Sequence, residues 1–188
     1  MPGLVLEGGT FRPVFSCGVM DALLDHDIMF DYVVGVSAGI TYAISYLSRQ
    51  RGRNLEVLRR YRGDSRYFGM RNLPHDHSIF GTDFVFDTIP NQLIPFDWET
   101  YHRYKGRILV GVTNAETGRA EYLDGAKLDR TCTMLRATCA IPLYFPAVQL
   151  SGGTFYDGGV ADPIPIVRSL HDGNRKNLIV LTQPKSYR

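Results

Sequence analysis

The chain has 188 residues, of which 44% are hydrophobic and 21% charged, an ordinary composition for a globular protein. This length predicts one domain, residues 1–188, with a buried core. The formal net charge of +2 argues neither for nor against nucleic acid, but charges outside the arginine-rich residues 49–66 are balanced, so we expect no nucleic-acid partner. The three cysteines are odd in number and scattered, which favours a reducing compartment, the cytoplasm, and excludes a disulfide framework.

Short apolar runs alternate with helical patterns along the chain. In chain order, strands are predicted over residues 3–6, 32–36, 107–113, 121–123, 148–150, 154–156 and 177–182, the last as a buried strand. Helices are predicted over residues 14–24, 37–48, 55–61 with Asn54 as cap, 128–138 and 165–170. Residues 62–95 are irregular apart from a short helix over 83–89. Strands interleaved with helices indicate an α/β fold with a mostly parallel sheet and an antiparallel part.

A serine lies between two glycines where the second predicted strand meets the second helix, in Gly35-Val36-Ser37-Ala38-Gly39. This is the nucleophile-elbow pattern, in which a tight turn holds the serine at the end of a strand. A side chain at Gly35 or Gly39 would clash in such a turn. The following helix N-terminus favours a developing negative charge. The pattern predicts Ser37 as a catalytic nucleophile.

A serine nucleophile needs a base, and the five histidines are poorly suited to that role. His26 and His171 fall at helix C-termini, and His102 does not follow a strand that ends in glycine. His75 and His77 flank an aspartate, but without a third ligand in sight a solvated loop is favoured over a metal site. No metal and no cofactor are therefore expected.

Asp157 is a better candidate base, because it follows a hairpin strand and precedes Gly158 and Gly159. Taken alone, Asp-Gly more often marks a simple turn. A buried carboxylate with raised basicity can nevertheless accept the serine proton, so a Ser–Asp dyad is chemically feasible. Gly8 and Gly9 follow the first strand and are candidates for an oxyanion hole. Their spacing fits neither common phosphate-binding pattern.

Three motifs now occur in one order: Gly8-Gly9-Thr10-Phe11-Arg12-Pro13, then Gly35 to Gly39, then Asp157-Gly158-Gly159. In this order they resemble the patatin-like phospholipase family, whose pattern is a glycine-rich oxyanion loop with an arginine, then G-x-S-x-G, then D-G-[GA]. Residues 137–142, 145–146 and 161–165 also look like family segments. The resemblance therefore covers essentially the whole chain.

The resemblance implies a three-layer α/β/α patatin-like fold and metal-free hydrolysis of acyl esters, typically of lipids. Ser37 would be the nucleophile and Asp157 the base, with an oxyanion loop of Gly8, Gly9, Thr10 and Arg12. Two rival functions stay open. One is a catalytically weakened lipid- or acyl-binding member of the same fold, and the other is an acyltransferase, which would need a histidine base and an arginine clamp.

Two positions depart from the family pattern. Thr10 replaces a glycine of the loop, and a β-branched residue resists positive φ. Pro13 replaces another glycine and has no N–H. If the oxyanion hole needs a glycine-only conformation at either position, it is impaired. Family members also generally continue past the final strand, which favours a chain truncated at its C-terminus.

Residues 49–66 are rich in arginine, and Glu56 and Asp64 are the only acidic residues in this segment. A solvated helix face is the simpler interpretation, and attraction to anionic lipid headgroups at a membrane surface is the functional one. Seven arginines fall in this segment: Arg49, Arg51, Arg53, Arg59, Arg60, Arg62 and Arg66.

Overall fold

A computed structural model describes residues 2–184 and 186–187 of the chain. Met1, Lys185 and Arg188, which belong to the predicted domain 1–188, lie outside the described residues. The strands are β1 (Pro2–Leu6), β2 (Tyr32–Val36), β3 (Arg107–Asn114), β4 (Ala120–Asp124), β5 (Val148–Leu150), β6 (Gly153–Asp157) and β7 (Lys176–Val180). The helices are α1 (Val14–Asp25), α2 (Ser37–Leu47), α3 (Arg53–Tyr61), α4 (Leu73–Asp76), α5 (Trp98–Arg103), α6 (Thr133–Thr138) and α7 (Ile166–His171). A π-helix covers Phe84–Leu93.

The seven strands form one sheet in the order β5-β6-β3-β2-β1-β7, with β4 also paired to β3. The pairs β1–β2, β1–β7 and β2–β3 are parallel, and the pairs of β3 with β4 and β6 and of β5 with β6 are antiparallel. The predicted α/β class is confirmed. The sheet has a parallel half and an antiparallel half, and the two halves meet at β3.

Both faces of the parallel half are covered, as three layers require. On β1, Leu4 and Leu6 enter the large core beneath α1, α2, α5 and α6, whereas Val5 enters a smaller core with Ile164 and Ile166. Successive side chains of a strand point to opposite faces, so a continuous apolar run supplies both cores. The arrangement is the expected three-layer α/β/α fold.

Two predicted helices begin at other residues than expected. The predicted helix over 128–138 starts only at Thr133, because Cys132 has φ 54° and the Asp129 carboxylate accepts hydrogen bonds from the amides of Thr131 and Thr133. Asn54 does not cap α3, which begins at Arg53 after Gly52 in a left-handed conformation. The Asn54 side chain instead contacts α2, where it donates to the Tyr42 carbonyl.

The segment after α3 contains more regular structure than predicted. The short helix predicted over 83–89 is a π-helix that extends to Leu93 with Pro90 inside it. Helix α5 was not predicted, although Asp97 accepts a capping hydrogen bond from the Thr100 amide at 2.9 Å. Aspartate is a preferred N-cap residue, so Asp97 directly before Trp98 was a usable sign that a helix begins there.

The prediction of a buried final strand was wrong. Strand β7 lies at the edge of the sheet, paired to β1 on one side. Leu178 and Ile179 keep 38% and 39% of their surface exposed, and Leu181 keeps 49%. Apolar composition alone does not separate an edge strand from a central one.

Candidate active site

Strand β3 brings the two motif residues together. Residues 109–113 of β3 pair with β4 along one edge, so β2 and β6 must both lie along the other edge. Strand β2 ends with Val36 opposite Gly111, and β6 ends with Asp157 opposite Val112. Because β2 runs parallel to β3 and β6 antiparallel, their carboxyl ends meet head to head. Residues 36–37 and 157–158 are therefore neighbours, although 120 residues of chain separate Ser37 from Asp157.

Ser37 is the first residue of α2 and has φ 52°, an uncommon backbone conformation for a residue other than glycine. Its side chain is 6% exposed, and its hydroxyl donates to Asp157 Oδ2 at 2.7 Å. A Cβ at Gly39 would overlap the carbonyl oxygen of Glu7, and one at Gly35 would crowd Leu6. The two glycines of the elbow thus allow the turn to pack against the end of β1.

Asp157 is buried, and both of its carboxylate oxygens accept hydrogen bonds. Oδ2 accepts from Ser37, and Oδ1 accepts from the Gly159 amide at 2.7 Å. Burial raises the pKa of Asp157 above its ordinary value, and these two hydrogen bonds oppose the shift. A Cβ at Gly158 would overlap the Gly111 carbonyl oxygen, so this glycine lets the turn after β6 approach β3. A carboxylate with raised basicity next to a serine hydroxyl can accept its proton.

Two threonines that sequence analysis missed brace the pair. The Thr138 hydroxyl donates to the Gly111 carbonyl and accepts the amide hydrogen of Ser37 at 2.8 Å. The Thr113 hydroxyl donates to the Asp157 carbonyl at 2.8 Å. Each threonine ties one motif residue to β3. Thr138 ends a helix and Thr113 lies within a strand, and neither position is unusual for a threonine. The sequence contains no signal of their role, because their partners are distant in the chain.

The glycine-rich loop lies beside this pair but differs from expectation at Gly8. The Gly8 amide donates to the Pro163 carbonyl at 3.2 Å, so it does not face the serine as a vacant donor. The amides of Gly9 and Thr10 make no hydrogen bond among the described residues. Thr10 has φ 40° and Gly9 has φ 135°. The threonine therefore adopts the left-handed conformation that it was expected to resist.

Arg12 supports the loop through its side chain. Its Nε donates to Thr182 Oγ1 at 3.3 Å, and its backbone amide donates to the Gly9 carbonyl at 2.8 Å. A Cβ at Gly9 would collide with the Arg12 guanidinium. Pro13 has φ −63° and stands immediately before α1, where its missing N–H is harmless.

Ser37 lies at the junction of two cavities. The first, of about 140 Å³, is lined mostly by apolar side chains of α2, the π-helix and α6, including Tyr42, Val85, Ile89 and Leu135. The second, of about 700 Å³, is lined by the residue 7–10 loop, Arg12, Asp157 and Gly159, and near the end of the chain by Leu181, Gln183, Pro184 and Tyr187. Thr10 and Ile141 line both. A molecule bound across the junction would have one apolar and one more polar compartment.

The histidines bond elsewhere. No described histidine has a hydrogen bond or ion pair to Ser37 or Asp157, and His102 contacts the carbonyls of Trp98 and Leu128. The fold does bring a third potential ligand, Asp83, to His75 and Asp76, which sequence analysis did not find. His77 is not part of this cluster. The cluster is largely exposed, and Asp83 already forms an ion pair with Arg136 at 2.5 Å.

The arginine-rich segment does not form one basic face. Arg53 is buried, and four other arginines form ion pairs with nearby carboxylates. Among the described residues, Arg59 and Arg62 have no ion pair, and Arg62 stacks on the Phe11 ring at 5.4 Å. The four paired arginines are Arg49, Arg51, Arg60 and Arg66. In the part of the chain that the structure describes, no helix has the length and apolar character to cross a bilayer.

The fold and site define an α/β protein in which a serine at the end of one strand contacts a carboxylate at the end of another, beside a glycine-rich loop. The family model described as patatin-like phospholipase matches residues 4–168. The chain belongs to the patatin-like phospholipase family, as the three motifs had indicated.

Two curated relatives match most of the chain. One is the "Uncharacterized protein YjjU" of Escherichia coli (strain K12), 25% identical over 195 residues, which cover 96% of this chain and 52% of the relative. The other is a "cGAMP-activated phospholipase" of Pseudomonas aeruginosa (strain BWHPSA011 / Pa011), 29% identical over 185 residues, 90% of this chain and 55% of the relative. The chain spans about half the length of these relatives.

Proposed function

We propose that the protein hydrolyses carboxylic ester bonds of lipids, as a phospholipase, lysophospholipase or esterase, through a Ser37–Asp157 dyad. The observation that carries the proposal is the 2.7 Å hydrogen bond from the Ser37 hydroxyl to the buried Asp157 carboxylate. Membership of the patatin-like phospholipase family supports lipid esters as the substrate class. A phospholipase among the relatives supports the same class.

The proposed reaction has two stages. Ser37 Oγ attacks the ester carbonyl carbon while Asp157 takes the hydroxyl proton, and a tetrahedral oxyanion forms. The oxyanion collapses, the alcohol leaves with the proton from Asp157, and the acyl group stays on Ser37. Water then attacks this acyl-enzyme while Asp157 accepts a water proton. Collapse of the second oxyanion breaks the bond to Ser37 Oγ, which takes the proton back from Asp157, and the acid is released.

The oxyanion needs N–H donors aimed at the space beside Ser37. We assign this role to the amides of Gly9 and Thr10, because both lack partners among the described residues and Thr10 lines the cavities next to Ser37. The Gly8 amide ties the loop to Pro163, and the Arg12 amide donates to the Gly9 carbonyl. In this assignment, Gly8 and Arg12 position the donors rather than contact the oxyanion.

The two cavities fit the two parts of an amphiphilic ester. The cavity of about 140 Å³ would take the acyl chain, and the wider groove of about 700 Å³ would take the alcohol or headgroup. Ser37 lines both, which supports a substrate carbonyl carbon at their junction. A hydrophobic pocket with few polar groups is the usual form of such a site.

We also propose peripheral contact with a lipid surface. The loop between α6 and β5 exposes Leu143 completely and Tyr144 by 63%, while the neighbouring Ile141 and Phe145 line the acyl cavity. From residues 49–66, Arg59 and Arg62 would contribute attraction to anionic headgroups. Leu143→Ser should reduce sedimentation with vesicles of phosphatidylglycerol and phosphatidylcholine. Unchanged sedimentation would contradict a membrane role for this loop.

A fluorophosphonate probe tests the proposed nucleophile without a choice of substrate. Intact-mass analysis should show one label on the wild type and none on Ser37→Ala. Ser151→Ala is the matched control, since Ser151 is exposed in the turn before β6 and should leave labelling unchanged. Labelling that persists in a folded Ser37→Ala protein would overturn the proposal.

A further inference from the structure

The acyl cavity contains a charged side chain that the proposed hydrolysis does not use. Arg53, the first residue of α3, lines this cavity and is only 8% exposed. Among the lining residues that the structure describes, Arg53 is the one that carries a formal charge. A guanidinium is seldom so deeply buried unless a partner compensates the loss of hydration.

The compensation of Arg53 within the protein is incomplete. Its Nη2 donates to the Ile94 carbonyl at 2.8 Å, and its Nη1 reaches the Ser45 hydroxyl only at 3.5 Å. Its Nε has no hydrogen-bond partner, and no carboxylate forms an ion pair with it among the described residues. Its Cζ lies over the Phe96 ring, 5.3 Å from the ring centroid. Burial accordingly lowers the pKa of Arg53 to about 10.

The guanidinium and Ser37 lie at different depths of the same cavity. Ser45 follows Ser37 by eight residues on α2, which is about 12 Å along the helix axis at 1.5 Å per residue. After a contact of about 3 Å at each end, about 6 Å remain, which an extended chain of roughly five bonds, or about six carbons, fills at about 1.2 Å per bond. The cavity volume of about 140 Å³ agrees with a ligand of this size.

From this geometry we infer that Arg53 selects acyl chains of about six carbons whose far end carries a carboxylate. With the ester carbonyl at Ser37, such a chain would place its terminal carboxylate against the Arg53 guanidinium. A carboxylate would supply the counter-charge that Arg53 lacks among the described residues, and a stronger acceptor for Nη1 than the Ser45 hydroxyl at 3.5 Å. The inference rests on the proposed ester hydrolysis, since it concerns the chain end of the same substrate.

Two esters that differ only at the chain end test the inference. The mono-p-nitrophenyl ester of adipic acid ends in a carboxylate, and p-nitrophenyl hexanoate ends in a methyl group. The wild type should show at least a tenfold larger kcat/KM for the adipate ester. Arg53→Gln should lower that ratio at least tenfold, whereas Arg60→Gln, at an exposed arginine of the same helix, should leave the ratio unchanged. A wild type that prefers the hexanoate ester would overturn the inference and leave the proposed hydrolysis intact.

Binding without turnover separates the inference from the proposed function. Monomethyl adipate should raise the Tm of the Ser37→Ala protein more than methyl hexanoate does, and Arg53→Gln in that background should remove the difference. Equal shifts would overturn the inference even if both esters are hydrolysed. If neither ester is hydrolysed, the proposed function fails and the shifts alone decide the inference. If Arg53→Gln does not fold, Arg53→Lys, which keeps the charge without the planar fork, should retain part of the preference.

Discussion

The strand-end contact and the wall of the acyl cavity are built in different ways. Ser37 and Asp157 stand at the ends of β2 and β6, and the register of both strands on β3 fixes their contact. The cavity wall instead combines α2, α3, α6, the π-helix and the segment before it, and the Phe80 ring in that segment lies 5.4 Å from the Phe145 ring. Under the proposed function, the sheet would therefore set the chemistry, and the cavity wall would determine which acyl chain fits. Substitutions in the two regions should have separable effects.

The largest effect is expected at the carboxylate. Asp157→Asn should lower kcat by about a thousandfold or more, because an amide cannot accept the serine proton. Its free energy of unfolding at pH 7 should not fall, since the buried ionised carboxylate is itself unfavourable there. Ester hydrolysis and urea unfolding measure the two quantities. Residual activity within tenfold of the wild type would contradict the role of Asp157 as base.

The pH profile tests the same group without a substitution. Burial raises the pKa of Asp157, so the active carboxylate form should be lost at a pH above the ordinary value of about 3.9. Below that inflection, log kcat/KM should fall with unit slope. The free energy of unfolding should change in the opposite direction to activity. The folded protein binds this proton more tightly than the unfolded chain, so the contribution of Asp157 to stability falls as pH rises. An inflection at or below 3.9 in a folded protein would contradict the raised pKa.

The elbow should be intolerant of even a methyl group. Gly39→Ala places a Cβ against the Glu7 carbonyl oxygen, where backbone must move, and should lower the free energy of unfolding by about 1–3 kcal/mol. Gly63→Ala is the matched control, since nothing lies within 4 Å of its added Cβ. Urea denaturation compares the two. Equal stabilities would show that the close approach of α2 to β1 is not needed.

In the cavity wall, substitution should alter chain preference more than chemistry. Phe80→Ala should lower the ratio of kcat/KM for the hexanoyl over the acetyl p-nitrophenyl ester by roughly tenfold, through lost apolar contact with the longer chain. Phe68→Ala is the control, because Phe68 packs against Phe80 at 4.9 Å but does not line the cavity. The same ratio in both variants would place the acyl chain elsewhere.

The smallest effect is expected at Thr10. This threonine already has φ 40°, so Thr10→Gly should relieve strain of about 1 kcal/mol, partly offset by the greater freedom of glycine in the unfolded chain. Activity should change less than threefold, because the loop conformation is already reached. Thermal unfolding and ester hydrolysis measure both. A large gain in rate would instead favour the weakened-binder alternative for the natural chain.

The candidate site could be predicted from sequence where its signals are local. Gly35, Gly39 and Gly158 lie where an added Cβ would meet a neighbouring segment, so each glycine marks a close approach. Ser37 and Asp157 lie at the ends of strands that the apolar pattern predicts. The α/β class came from the same periodicity. Asp97, which caps α5, was a further local signal that could have predicted this helix.

Only the tertiary structure decided the features that depend on contacts between distant residues. The Gly8 amide was expected to face the serine, but the turn at Pro163 accepts it. The threonines that brace the dyad act through Gly111 and Asp157, far away in the chain. The final strand has the apolar composition of a central strand, but it lies at the edge of the sheet. No local sequence pattern specifies the order of strands in a sheet. Arg53 belongs to a run of arginines in the sequence, and only packing against Ile94 and Phe96 sets it apart in the cavity.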